Sequence, residues 1–122
     1  VLPWRQDSEV DDLNRFDVGI MPVPDRPFER GKCGYKILQY MACARAVIAS
    51  PVGVNAQIVE HGVNGLLASS DRDWEEALWQ LGTDPQTRAS LGTAGRRTVV
   101  DGYSTTVVIP RLARLLQEVA AG

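Results

Sequence analysis

Residues 17–49 read Asp17-Val-Gly-Ile-Met21, then Pro22-Val-Pro-Asp-Arg-Pro-Phe-Glu-Arg-Gly-Lys-Cys-Gly34, then Tyr35-Lys-Ile-Leu-Gln-Tyr-Met-Ala-Cys-Ala44, then Arg45-Ala-Val-Ile-Ala49. The runs 17–21 and 46–49 are short and apolar, and they are ended by Pro22 and by Ser50-Pro51-Val52-Gly53. That is the pattern of buried strands bounded by turn residues. Between them, Ile37, Leu38, Met41 and Ala44 recur at helical spacing, which predicts a helix over 34–44 with one apolar stripe facing a sheet. Strand, helix and strand in this order form a βαβ unit around a parallel sheet.

Working outward, Gly65-Leu-Leu-Ala68 predicts a third strand. Ser70 or Asp71 is expected to cap a helix through Leu81, with Asp73, Glu75 and Glu76 in its first turns, where acidic groups complement the helix dipole. Pro85 suits the first turn of a further helix carrying Leu91, Ala94 and Val99. After a break at Gly102-Tyr103-Ser104, Val108, Leu112, Leu115 and Val119 trace a last amphipathic stripe, interrupted near its start by Pro110. The fold class expected is α/β, a Rossmann-like parallel sheet with flanking helices. Val1-Leu2-Pro3-Trp4 looks like a strand without an upstream neighbour, and the first residue is Val rather than Met. The chain therefore reads as part of a longer polypeptide, exposing apolar surface and prone to self-associate there or through its last helix.

With 122 residues the chain is one small domain at most, and its 13 basic against 15 acidic side chains leave a net charge of −2. That balance gives no reason to expect nucleic acid as a partner. No apolar stretch approaches the roughly 18 residues needed to span a bilayer, and no signal peptide opens the chain. The expected location is cytoplasmic, with a membrane-peripheral placement of the whole protein left open. One histidine, His61, and two cysteines, Cys33 and Cys43, cannot build a Cys/His zinc cluster or a disulfide framework. No metal site is expected.

Ligands of parallel α/β sheets bind outside the carboxyl ends of strands, which points to the loops after 17–21 and 46–49. The first loop holds both lysines of a chain that otherwise uses arginine, and Glu29, Arg30, Gly31, Lys32, Cys33, Gly34, Tyr35 and Lys36 together carry a net charge of +2. Gly31 and Gly34 allow close backbone approach, and a helix starting at Gly34 aims free N–H groups into the same space, so the stretch predicts a phosphate cradle. Gln39 follows Lys36 on one helix face, about 4.5 Å deeper along the axis, an offset suited to a diphosphate and its adjoining ribose.

Gly34-Tyr-Lys36-Ile-Leu-Gln39-Tyr-Met-Ala-Cys-Ala-Arg-Ala-Val-Ile-Ala-Ser-Pro-Val-Gly-Val-Asn-Ala-Gln57-Ile-Val-Glu-His-Gly-Val-Asn-Gly65 resembles the donor-binding half of GT-B glycosyltransferases of the group 1 (family 4) type. The resemblance covers residues 17–104. It implies an incomplete C-terminal GT-B domain over 1–122, lacking its first strands, together with a missing N-terminal acceptor domain. The implied activity is sugar transfer from a nucleoside-diphosphate sugar with retention of configuration, and it needs neither metal nor other cofactor. It implies diphosphate and donor-sugar contacts from Glu29, Arg30, Gly31, Lys32, Cys33, Gly34 and Lys36. The family's ribose-binding carboxylate falls on Gln39, whose amide oxygen accepts a hydroxyl without the charge that strengthens the bond. The second acidic position falls on Gly31, two residues from Glu29, and a third on Gln57. The family's Arg and Lys from the opening strands have no counterpart, which implies an inactive piece that binds nucleotide weakly. A sugar-nucleotide epimerase of the same architecture and a non-catalytic nucleotide-binding or interaction module remain the alternatives.

Three other features take structural readings. Asp71-Arg72-Asp73 matches a D-x-D metal motif but opens an acid-rich helix and is read as capping. His61 is read as a polar turn residue and Cys33 as a loop filler. Trp74 and Trp79 are expected to pack.

Overall fold

The computed structural model describes residues 3–122. In chain order the elements are α1 (Glu9–Asn14), β1 (Val18–Met21), α2 (Pro27–Arg30), α3 (Tyr35–Ala42), β2 (Ala46–Ala49), α4 (Asn55–Ile58), β3 (Leu66–Leu67), α5 (Asp71–Thr83), α6 (Pro85–Gly102) and α7 (Thr105–Ala121). The strands form one parallel sheet in the order β1-β2-β3, with Val18 opposite Ala46, Met21 opposite Ala49 and Ile48 opposite Leu66.

Alternation along β2 sends its side chains to two cores. Ala46 and Ile48 join Leu66, Ala68, Ala77, Leu81 and Leu91, with Trp74 at the margin. Val47 and Ala49 join Ile37, Met41, Ile58 and Val59 on the other face. All four β2 residues are buried because helices cover both sides, which is why this strand reads as an unbroken apolar run rather than an alternating one. Asn64 is buried, accepts the Glu60 N–H, and donates to the Ile58 carbonyl and to Thr98 Oγ1. It fastens the β2–β3 connection to α6.

The expected strands and long helices are present, and three short helices were not foreseen. The helices α1, α2 and α4 have six, four and four residues, too few for a period of 3.6 to register. Three expectations change. Pro3 and Trp4 lie in irregular backbone rather than a strand, and Val1 and Leu2 lie outside the described residues. Trp74 packs, but Trp79 is 74% exposed, since five helical residues rotate it about 140° from Trp74. Pro110 does not interrupt the last helix, which continues through it to Ala121. The apolar stripe of α7 buries none of its residues.

Candidate functional site at the carboxyl ends of β1 and β2

Beyond Met21 and Ala49 the chain turns into two loops that hold each other. Ser50 Oγ accepts the Val23 N–H at 3.0 Å, and Asn55 Nδ2 donates to the Ser50 carbonyl at 3.1 Å. Gly53 has φ 56°, and a Cβ there would meet the Arg30 carbonyl oxygen at 2.5 Å. Glycine is thus what lets the second loop lie directly on the end of α2.

The loop from Asp25 to Lys36 is built on this base. The Arg30 guanidinium donates to both Asp25 oxygens, at 2.6 and 3.1 Å. This bond holds the Asp25 carboxyl below its ordinary range and raises Arg30. Arg30 is therefore a brace for the loop. Glu29 Oε2 is buried with no hydrogen-bond partner among the described residues. Gly31 ends α2, and Lys32 Nζ lies 5.5 Å from the centre of the exposed Phe28 ring. Cys33 is exposed rather than filling the loop. Gly34 caps α3 with φ 66°, where a Cβ would come within 2.7 Å of Ile58 Cδ1, and among the described residues no side chain caps the N–H groups that follow. Those N–H groups, the positive end of α3, and the exposed Lys32 and Lys36 make this a surface suited to an anion.

One turn along α3, Gln39 is half-buried, and its Nε2 donates to Glu9 Oε1 of α1 at 3.0 Å. Lys36, Gln39 and Glu9 share a groove of about 210 Å³ with Trp4, Phe16 and Tyr40. Phe16 and Tyr40 meet with ring centres 6.2 Å apart, and burial pushes the Tyr40 phenol up. The structure thus brings Lys36 and Gln39 together and engages Arg30 with Asp25. It also adds Glu9, which sequence reasoning missed because it lies thirty residues upstream in a helix of six.

The remaining candidates have structural partners. Asp73 Oδ2 accepts the Ser69 and Ser70 N–H groups while Ser70 Oγ accepts the Asp73 N–H, a complete capping box. His61 Nδ1 accepts the Leu67 N–H at 3.0 Å. A second cavity, about 340 Å³, includes Arg45 and Arg88 near the amino end of β2, and both arginines donate to backbone carbonyls. Gln57 is exposed on α4. Among the described residues no helix is long and apolar enough to cross a membrane.

Residues 2–84 match the family described as Glycosyl transferases group 1. The D-inositol 3-phosphate glycosyltransferase of Pseudarthrobacter chlorophenolicus is 34% identical over 96 residues, covering 76% of this chain and 22% of that protein. The alpha-maltose-1-phosphate synthase of Mycolicibacterium smegmatis is 34% identical over 129 aligned residues, 99% of this chain and 32% of that protein. The chain thus spans less than a third of the length of either relative. Sucrose-phosphate synthase from Thermosynechococcus elongatus superposes with a TM-score of 0.76 at 26% identity, covering 86% of this chain and 26% of that one. HepE from Anabaena, solved in complex with UDP-glucose, gives 0.77 at 22% identity over 96% of this chain and 31% of that one, a likeness of fold.

Proposed function

This chain belongs to the group 1 glycosyltransferases, with the Rossmann-like α/β architecture of the GT-B type, and from that premise we propose that it is the donor-binding part of an enzyme that moves a sugar from a nucleoside diphosphate to an acceptor. The observation that carries this reading is the uncapped start of α3, set beside Lys32 and Lys36 at the carboxyl ends of two parallel strands. The Gly31 and Lys32 N–H groups close the end of α2 on the Phe28 and Glu29 carbonyls, so the backbone N–H groups from Cys33 and Gly34 into the first turn of α3, with the two lysines, hold the diphosphate and donor sugar. Glu29 and Arg30 shape the loop, and Gln39 faces the ribose.

As the glycosidic bond breaks, charge gathers on the leaving diphosphate. Donors fixed in place before the reaction stabilise that charge without reorganising. The lysines and the α3 dipole supply such stabilisation here, so the proposed chemistry uses no metal and no other cofactor. Transfer with retention follows from the family resemblance. Because the chain spans less than a third of the length of its relatives, acceptor binding is proposed to need more than these residues, and residues 1–122 alone to bind donor weakly and not to turn over. The whole protein is proposed to work in the cytoplasm.

Amide chemical-shift mapping of the chain with uridine, guanosine and adenosine diphosphates tests the reading. Shifts concentrated in residues 29–36 are expected. A silent loop with shifts elsewhere would overturn it.

A further inference from the structure

We infer that the acidic group of the ribose subsite is supplied by Glu9 of α1, acting together with Gln39 of α3. This rests on the donor reading above and names the chemistry of one part of that site. A vicinal diol is best held by two acceptor oxygens side by side, which one carboxylate provides. A lone glutamine provides one acceptor oxygen, and its nitrogen donates. In this structure that nitrogen is turned to an acid, Gln39 Nε2 donating one of its two hydrogens to Glu9 Oε1 at 3.0 Å. Gln39 Oε1 and Glu9 Oε2 have no other hydrogen-bond partner among the described residues. The pair therefore offers two acceptor oxygens and one negative charge, spread over two helices.

The surroundings fit this assignment. Glu9 and Gln39 are both half-buried and share one groove with Lys36 and the Trp4, Phe16 and Tyr40 rings. Asp12, the other carboxylate of the groove, is engaged by Ser8 Oγ at 3.1 Å and Arg15 at 3.8 Å. Glu9 is left as the available acid. Lys36, one turn before Gln39, lines this groove and stands in the first turn of α3, so it links the proposed diphosphate cradle to the Glu9–Gln39 pair.

The test is titration of the chain, followed by amide shifts, with uridine, guanosine and adenosine diphosphates and with their 2′,3′-dideoxy forms. In the native sequence the diol should tighten binding about tenfold, the scale of a hydrogen bond to a charged group. Glu9→Gln, which keeps a hydrogen-bonding partner for Gln39, should erase that preference, so that each diphosphate binds no more tightly than its dideoxy form. The double variant Glu9→Gln/Gln39→Glu should restore it by placing the carboxylate on α3. Full diol preference in Glu9→Gln overturns the assignment while leaving the donor reading intact, and so does an equal loss for diphosphate and dideoxy forms. Diphosphates that leave residues 29–36 silent overturn the donor reading itself, and this inference with it.

Discussion

The Ser50 hydroxyl accepts the backbone N–H of Val23 across 27 residues of sequence, at 3.0 Å. The bond joins the first residue after β2 to the second residue after β1, and Ser50 is itself buried. Ser50→Ala would leave the Val23 N–H unpaired. A loss of about 1–2 kcal/mol in denaturant stability is expected, with faster hydrogen exchange confined to residues 22–34. Exchange that quickens uniformly over the chain would contradict a local tie.

Gly34 and Gly62 both have positive φ, at 66° and 77°, but only Gly34 is hemmed in, by Ile58. Gly62→Ala meets backbone strain alone, about 1–2 kcal/mol. Gly34→Ala adds a clash at the start of α3 and should cost more, about 2–4 kcal/mol in all. Equal melting shifts for the two variants would show that the contact with Ile58 relaxes freely.

Lys32 and Lys36 are exposed, and neither is in an ion pair among the described residues. Replacing either by Ala should weaken diphosphate binding by about three- to tenfold while the melting temperature stays within a degree or two. Under the proposed function, the same variants of the whole protein should also slow sugar transfer. Unchanged affinity in both would assign the lysines to solvated surface.

The backbone bonds from Ser70 and Ser69, together with the Ser70 and Ser69 hydroxyls, hold the Asp73 carboxyl at about 2, below its ordinary 3.8. Because the folded value is the lower one, the native state favours the ionised form. The contribution is complete above the unfolded value and disappears as pH falls through the folded one. Acid titration of α5 should therefore show loss of stability between about pH 4 and 2, and Asp73→Asn should flatten that slope.

Six large apolar residues of α7, Val108, Ile109, Leu112, Leu115, Leu116 and Val119, are more than two-fifths exposed, Val119 at 71%. An apolar patch of that kind favours association. Sedimentation should show concentration-dependent self-association of the chain, lost in Leu112→Glu/Leu116→Glu with helix content retained. A monomer at high concentration would set the expectation aside.

The βαβ order, the burial of β2 and the Gly-Lys loop before α3 were legible in residues 17–49 because strand and helix periods are local, repeating every two or 3.6 residues. Lys36 and Gln39 were placed together for the same reason, one turn apart on one helix. Helix α1 was invisible because six residues cannot establish a period. Trp79 was misplaced because residue type was followed where helical rotation decides. The pairs that shape the site join residues far apart in sequence: Gln39 with Glu9, Ser50 with Val23, Gly53 with Arg30. No local pattern records them. They form only when burying both faces of β2 brings the strand ends level and sets α1 beside α3, so the tertiary packing decided which acid stands next to Gln39 and which hydroxyl ties the two loops together.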